Sequence, residues 1–415
     1  MFLIVFDDDS RIANFLALIA RERGWTVTAT VAEREFQALC TGAKIPDAIL
    51  LDLALGKSDG IEQLRFLHAI GYRGVITLMS GFDERVLASA EQVGRSLGLS
   101  LLSPLQKPMR AADVRTALDA IDMRIQRSSP LAVVAAPAPS GPARAGLQPA
   151  DVAAAIGRGE MQLYLQPIIA SAEQSVVQLE ALIRWRHPSG EVWPPDRFLP
   201  VAESDPAVID RLSLWVVDTA LFQYRHLAAS GLRIPIAVNI SGVNLRSLDF
   251  PDQMADRVFH AGVPSSALAF EVTESVAVDD GSVTMDVLTR LRLKGFELAI
   301  DDLGMGHSSL NTLRQMPFTQ IKIDKAFVAG ILDSHDSHMI VSSVISLARG
   351  MRMVSVAEGV ESIEVARELT KLGIDRLQGY LYSRPLAFDN LVPWLKRWDP
   401  QTRHREIGFG ANGPP

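Results

Sequence analysis

From residue 1 to about 125, short apolar runs alternate with stretches of helical periodicity. The runs are Phe2–Phe6, Trp25–Ala29, Ala48–Leu51, Gly74–Met79 and Leu99–Leu102, separated by helix-like segments such as Arg11–Arg23 and Asp83–Leu97. This alternation predicts βα units, and so a parallel sheet with helices on both faces. Residues 126–147 break the pattern: Ser128-Ser129-Pro130 and then Ala135-Ala136-Pro137-Ala138-Pro139-Ser140-Gly141-Pro142. Alternating Ala and Pro packs neither as helix nor as central strand, which predicts an exposed, semi-extended linker. The alternation resumes over 148–398. A helix at Asp151–Arg158 opens it, and strand-like runs then alternate with helical patterns at Val208–Ser230, Met285–Lys294, Ser337–Met351 and Ile363–Leu372.

The fold class read from this is α/β: a doubly wound, flavodoxin-like domain at 1–125, then a modified TIM-like (β/α)8 barrel at 148–398. The barrel's start is expected to be irregular, because Glu180 precedes more strand-like sequence rather than a loop. Residues 399–415, with Gly408, Gly410, Gly413, Pro414 and Pro415, are expected to form a disordered tail. Trp193, Trp215 and Trp394 are expected in the core, and His187 is read as a packing or capping residue.

Composition narrows the function. A chain of 415 residues calls for two or three domains, and 48% apolar residues is ample for their cores. The net charge of -7, with Lys and Arg well distributed, argues against a nucleic-acid-binding surface. Cys40 is the only cysteine, which excludes an internal disulfide and a thiolate metal centre. Met1–Phe6 lacks a basic lead and runs into Asp7-Asp8-Asp9, so it reads as a buried strand rather than a signal peptide. No apolar run approaches the length of a membrane span, and the expected compartment is the cytoplasm.

The candidate chemistry lies where the apolar runs stop. In doubly wound folds the site sits outside the carboxyl ends of the strands. There the first domain carries Asp7 and Asp8, Asp52, Ser80 and Lys107-Pro108. Three carboxylates, a hydroxyl and a lysine suit Mg2+ and a phosphoryl group. In the second domain the runs end at Asn239, at Glu271 with Glu274, at Asp301-Asp302, at Lys322 with Asp324, at Glu358 with Glu361, and at Gln378. Polar strand ends converge on one mouth in a barrel. Carboxylates plus an amide select Mg2+ or Mn2+ over a soft zinc site, and so many acids call for about two divalent ions, a phosphodiester-cleaving arrangement.

The first set resembles the receiver domain of two-component response regulators. The resemblance implies that Asp52 is the phosphoacceptor, that Asp7 and Asp8 hold one Mg2+, and that Ser80 and Lys107 contact the phosphoryl group delivered by a sensor histidine kinase. The loop after Asp52 lacks the proline usual in receivers, and Pro104 stands where an aromatic switch residue is common.

The second set resembles the EAL domain of cyclic di-GMP phosphodiesterases. It is carried by Glu180-Ala181-Leu182-Ile183-Arg184-Trp185, Val238-Asn239-Ile240-Ser241, Glu271-Val272-Thr273-Glu274, Asp301-Asp302, Lys322-Ile323-Asp324, Glu358-Gly359-Val360-Glu361 and Gln378-Gly379-Tyr380. Seven motifs in order are specific where one tripeptide is not. The resemblance implies that Glu180, Asn239, Glu271 and Asp301 hold one metal, that Asp301 and Asp302 hold a second, and that Glu358 completes the set. Lys322 would position the attacking water, with Asp324 counted among the catalytic residues, and Glu274 would brace the loop after Asp302. Gln166, Arg184 and Gln378 would line the substrate site. The implied reaction opens cyclic di-GMP to linear 5′-pGpG, in an enzyme expected to be a dimer or higher homo-oligomer. The alternative is a catalytically silent cyclic di-GMP receptor, and receptors of that kind usually lose acids or the lysine. The chain departs from the family's pattern at Leu303, Met305 and His307, in the loop after the acid pair.

Overall fold

The computed structural model describes residues 1–125 and 147–402, apart from 43, 57, 82–83, 275, 277–281 and 304–309. The side chains of 84–85, 125, 302–303 and 310–312 also lie outside the description, as do residues 126–146 of the expected linker and 403–415 of the expected tail. The chain separates into two compact units.

The first unit is built on five parallel strands, β1 (Phe2–Phe6), β2 (Thr26–Thr30), β3 (Ala48–Asp52), β4 (Val75–Ser80) and β5 (Ser100–Gln106). Their order is β2-β1-β3-β4-β5. That is the flavodoxin-like order, with its switch point between β1 and β3. A helix follows each strand: Ser10–Glu22, Glu33–Thr41, Gly60–Ala69, Glu84–Ser96 and Ala111–Ile125. Asp9 caps the first helix and Asp59 the third, each accepting a backbone N–H and so satisfying an otherwise orphaned donor. Leu3, Val5 and Leu50 of the sheet pack with Leu16, Ile19 and Leu118 of the helices. Pro104 falls where β5 slips register against β4, with Leu102 opposite Thr77 but Leu105 opposite Met79. An edge strand with a bulge is where a residue lacking an N–H is tolerated.

The second unit is a closed ring of eight strands. They are β6 (Met161–Ala170), β7 (Val176–Arg186), β8 (Ile236–Asn239), β9 (Leu268–Thr273), β10 (Glu297–Leu303), β11 (Gln320–Ile323), β12 (Val354–Ala357) and β13 (Arg376–Leu377). Consecutive strands from β7 to β13 are parallel, and β6 closes the ring antiparallel to both β13 and β7. The expected irregularity at the barrel's start is thus a reversed strand. Residues 171–175 join β6 to β7, with Gln174 at φ 53°. So short a link makes a hairpin, because a parallel crossover needs about a dozen residues.

Helices cover the ring, among them Pro206–Ala229, His335–Gly350 and Ile363–Leu372, whose starts are capped by Asp205, Ser334 and Ser362. Those caps place the first two starts about two residues earlier than periodicity alone does. The helix Phe250–Ala261 has no counterpart in the sequence reading, because its buried stripe of Phe250, Met254 and Val258 is narrow and interrupted by charge. Trp193, Trp215 and Trp394 are half-buried rather than core. Trp193 lies flat against His187 at 3.9 Å, and Trp185 is the enclosed tryptophan of that cluster. Among the described residues, no helix is long and apolar enough to cross a membrane.

Candidate active site

Each barrel strand contributes one polar side chain to a common centre: Gln166 from β6, Glu180 from β7, Asn239 from β8, Glu271 from β9, Asp301 from β10 and Lys322 from β11. Glu358 and Gln378 follow directly after β12 and β13. Lys322 is the hub. Its Nζ lies 2.6 Å from Glu358 Oε1, 2.7 Å from Glu271 Oε2, 3.4 Å from Asp301 Oδ1 and 3.5 Å from Glu180 Oε1.

The lysine is 1% exposed. Burial alone would lower its pKa, but the four carboxylates hold it well above the ordinary value, so it stays charged. Burial likewise opposes ionisation of Glu180, yet Lys322 and the amides of Gln378 and Asn239 keep that acid below its ordinary value. Gln378 Nε2 donates to Glu180 Oε2 at 2.5 Å and to Gln166 Oε1 at 3.2 Å, and Asn239 Nδ2 donates to Glu180 Oε1 at 3.2 Å. Gln166 in turn donates to the Ser383 carbonyl at 3.0 Å. These bonds fix the Glu180 carboxylate in orientation.

The other acids are less well compensated. Burial pushes Glu358 up to about 8, against the pull of Lys322 and helped by Asp301. It raises Glu271 well above the carboxylate range. With one lysine among four carboxylates in the described residues, full ionisation would leave an excess of buried negative charge, and the donors are all hard oxygens. The set therefore fits divalent cations of the Mg2+ or Mn2+ type.

A strand normally sends neighbouring side chains to opposite faces, which makes an adjacent Asp pair awkward to share. The backbone relieves this. Ile300 pairs with Ile321 and Leu303 with Ile323, so Asp301 and Asp302 together stand opposite Lys322 alone. Such a bulge breaks the strict alternation and re-aims side chains. The side chain of Asp302 lies outside the described residues, as do Met305, His307 and the side chain of Leu303.

Residues 150–385 match the model of the EAL domain family. The chain belongs to that family. It is 32% identical over 348 residues to the cyclic di-GMP phosphodiesterase RocR of Pseudomonas aeruginosa, across 84% of this chain and 86% of that protein. It is 37% identical over 240 residues to the cyclic di-GMP phosphodiesterase NbdA of the same organism, of whose length it spans 30%. Among solved structures it is similar to the c-di-GMP complex of the PaMucR phosphodiesterase, with 34% identity, TM-score 0.56 and coverage of 58% of this chain and 98% of that one. It is also similar to the EAL enzyme Bd1971 bound to cAMP and cyclic-di-GMP, with 31% identity, TM-score 0.57 and coverage of 60% and 68%.

In this EAL barrel the remaining sequence candidates fall apart spatially. Glu274 is buried directly after β9, three residues beyond Glu271. Asp324 caps the short helix Lys325–Ala329, its Oδ1 accepting from the Ala326 N–H at 2.7 Å. Arg184 shares the face of Glu180 two pleats further on, but its guanidinium donates to the Ile183 carbonyl and lies 5.9 Å from the Tyr164 ring centre. A cleft of about 310 Å3 opens over the acids, and Lys325, Glu361 and Tyr380 line it together with Glu180, Asp301 and Glu358. The sequence reading gave those first three no role. The available signal was position, since Lys325 and Glu361 follow strand-end motifs by three residues.

The first unit holds a second acid cluster. Asp7, Asp8 and Asp52 offer oxygens within 4.8 Å of one another. Lys107 Nζ bridges Asp7 Oδ2 at 2.7 Å and Asp52 Oδ2 at 3.0 Å. Burial pushes Asp52 up to about 7, Lys107 opposing and Asp7 adding to it. Asp52 Oδ1 is buried without a hydrogen-bond partner, an arrangement that suits a cation. Ser80 is buried at the end of β4, and its carbonyl accepts from the Lys107 N–H at 2.8 Å.

Proposed function

We propose that the barrel hydrolyses cyclic di-GMP and that the first unit is a phosphorylatable receiver domain that controls it. The observation that carries the enzymatic reading is Lys322, buried and charged amid Glu180, Glu271, Asp301 and Glu358. A silent receptor has no use for so much uncompensated buried charge, whose cost is high unless cations are bound.

Two divalent ions would be held by Glu180, Asn239, Glu271, Asp301, Asp302 and Glu358. Bound there, they would polarise the phosphodiester and acidify water. Lys322 favours a hydroxide-like oxygen beside the scissile phosphorus. Gln378 and Asn239 keep Glu180 aligned. Water's oxygen bonds to phosphorus as the bond to the 3′ oxygen breaks, and the water proton passes to that leaving oxygen. The product is linear 5′-pGpG. Gln166 and Gln378 lie beneath the substrate, and Arg184 reaches a phosphate if its side chain turns from the Ile183 carbonyl.

In the receiver reading, Asp52 accepts a phosphoryl group from a sensor histidine kinase while Asp7 and Asp8 hold Mg2+. The RocR alignment, at 348 residues, is longer than the whole of this chain from 150 onward, so it reaches into the first unit. This supports a shared two-domain plan, which we read as receiver at residues 1–125, linker at 126–147 and EAL domain at 148–398. Replacing Glu180 by alanine tests the enzyme assignment. Turnover of cyclic di-GMP should disappear while far-UV circular dichroism is unchanged; a retained rate would remove Glu180 from the site.

A further inference from the structure

Cyclic di-GMP carries two phosphodiesters, and each needs a counter-charge. Lys322 does not supply the second, because it lies beneath four carboxylates that already outnumber it. Among the described residues lining the cleft, the other cation is Lys325. It is exposed and has no ion-pair partner among the described residues. Its position is built. Asp324 follows β11 and caps the short helix Lys325–Ala329, which sets Lys325 at the rim. The lysine's stem lies across Gly359, the residue after Glu358. A Cβ at Gly359 would stand 2.5 Å from Lys325 Cβ and 3.2 Å from its Cα. Gly359 also has φ 66°, where a side chain is strained. The glycine therefore lets this stem pass close beside a metal-site acid.

The ring gives the second argument. Counting from β7, β11 is the fifth strand of eight, so Lys325 stands across the mouth from Arg184 on β7. With the Arg184 side chain turned from the Ile183 carbonyl, cations would flank the mouth from opposite sides, as the two phosphates of a ring-shaped substrate require.

Resting on the reading of the barrel as a cyclic di-GMP hydrolase, we infer that Lys325 is a substrate-positioning residue that binds a non-bridging oxygen of the phosphodiester that is not cut. That phosphate keeps its charge through the reaction, so the contact is equal in ground and transition states. Such uniform binding acts on KM and not on the maximal rate.

The test is steady-state kinetics of the full-length protein with cyclic di-GMP and saturating Mg2+, in wild type, Lys325→Ala and Lys325→Arg. The alanine variant should raise KM about tenfold, as expected for loss of one charged hydrogen bond, while kcat changes less than about twofold. The arginine variant should recover most of the loss. An unchanged KM in the alanine variant would overturn the inference, as would a fall in kcat at constant KM or a failure of arginine to rescue. A wild-type protein that does not turn the substrate over would instead defeat the hydrolase reading. Equilibrium binding of cyclic di-GMP to the same three proteins would then decide the contact by itself, with a tenfold weaker Kd for alanine required.

Discussion

The two acid clusters share a plan and differ in closure. Each stands at the carboxyl ends of parallel strands, and each sets one lysine between carboxylates. In the first unit Lys107 touches two acids and keeps 16% of its side chain exposed. In the barrel Lys322 touches four and keeps 1%. The open pair can exchange partners when a charged group arrives, at modest cost. The closed one is a fixed electrostatic feature whose charge was desolvated during folding. A switch needs the former, and preorganised catalysis needs the latter.

Removing each lysine breaks the comparison most sharply. Lys322→Met should abolish turnover, by at least about 10^3-fold, and in chelator should cost about 3–5 kcal/mol of stability, because the buried carboxylates lose the cation they share. Lys107→Ala should cost only about 1–2 kcal/mol and leave the barrel's metal-dependent chemistry in place. Equal destabilisation of the two variants in urea titrations would show that closure is not the difference.

Next in size is the effect of phosphorylation. Acetyl phosphate with Mg2+ should label the wild-type chain on Asp52, detected by intact mass, and change the hydrolysis rate severalfold. Asp52→Asn should abolish both responses. A labelled protein with an unchanged rate would reduce the first unit to a docking module.

Packing around the barrel site gives a smaller effect. A Cβ at Gly379 would fall 2.0 Å from the Val360 carbonyl oxygen, and that neighbour is backbone. Gly379→Ala should therefore cost about 1–3 kcal/mol and shift Gln378, lowering turnover without removing any charged group. Thermal denaturation read beside activity checks this.

A last prediction concerns the first unit's core and leaves activity untouched. Cys40 is buried, and burial pushes its thiol up to about 12 from 9.0. Because the folded value is raised, the thiol is protonated at pH 8 and the attacking thiolate is scarce until the chain unfolds. Iodoacetamide at pH 8 should label native protein about a hundredfold more slowly than urea-denatured protein.

Much of this was legible in the sequence, for a physical reason. A strand buried in a barrel is an uninterrupted apolar run, so the polar residue that ends it stands out. Glu271, Asp301, Lys322 and Glu358 were found that way, and the structure gathers them around one Nζ. The strand-end acids Asp7 and Asp52 were found likewise, and Lys107 bridges them.

What stayed hidden depends on backbone geometry. The reversal of β6 does not show in its apolar run, although the five-residue link after it was a usable sign. The bulge at Asp301-Asp302 is a matter of register with β11, which no single strand reveals. Asp324 was read as catalytic beside Lys322, yet its side chain caps a helix, as an Asp just before a helix start commonly does. Arg184 was placed on the substrate by its motif, and its rotamer here turns to its neighbour's carbonyl. Lys325 was overlooked because an exposed lysine after a strand carries no pattern of its own.

The central claim is that this barrel is a metal-dependent phosphodiesterase. The most direct measurement is incubation of the purified full-length protein with cyclic di-GMP and Mg2+, with the nucleotides followed by chromatography. Linear 5′-pGpG is expected, absent when a chelator is present and restored by excess Mg2+. Tight binding of cyclic di-GMP with no product in either Mg2+ or Mn2+, from the full chain and from residues 148–400 alone, would contradict it.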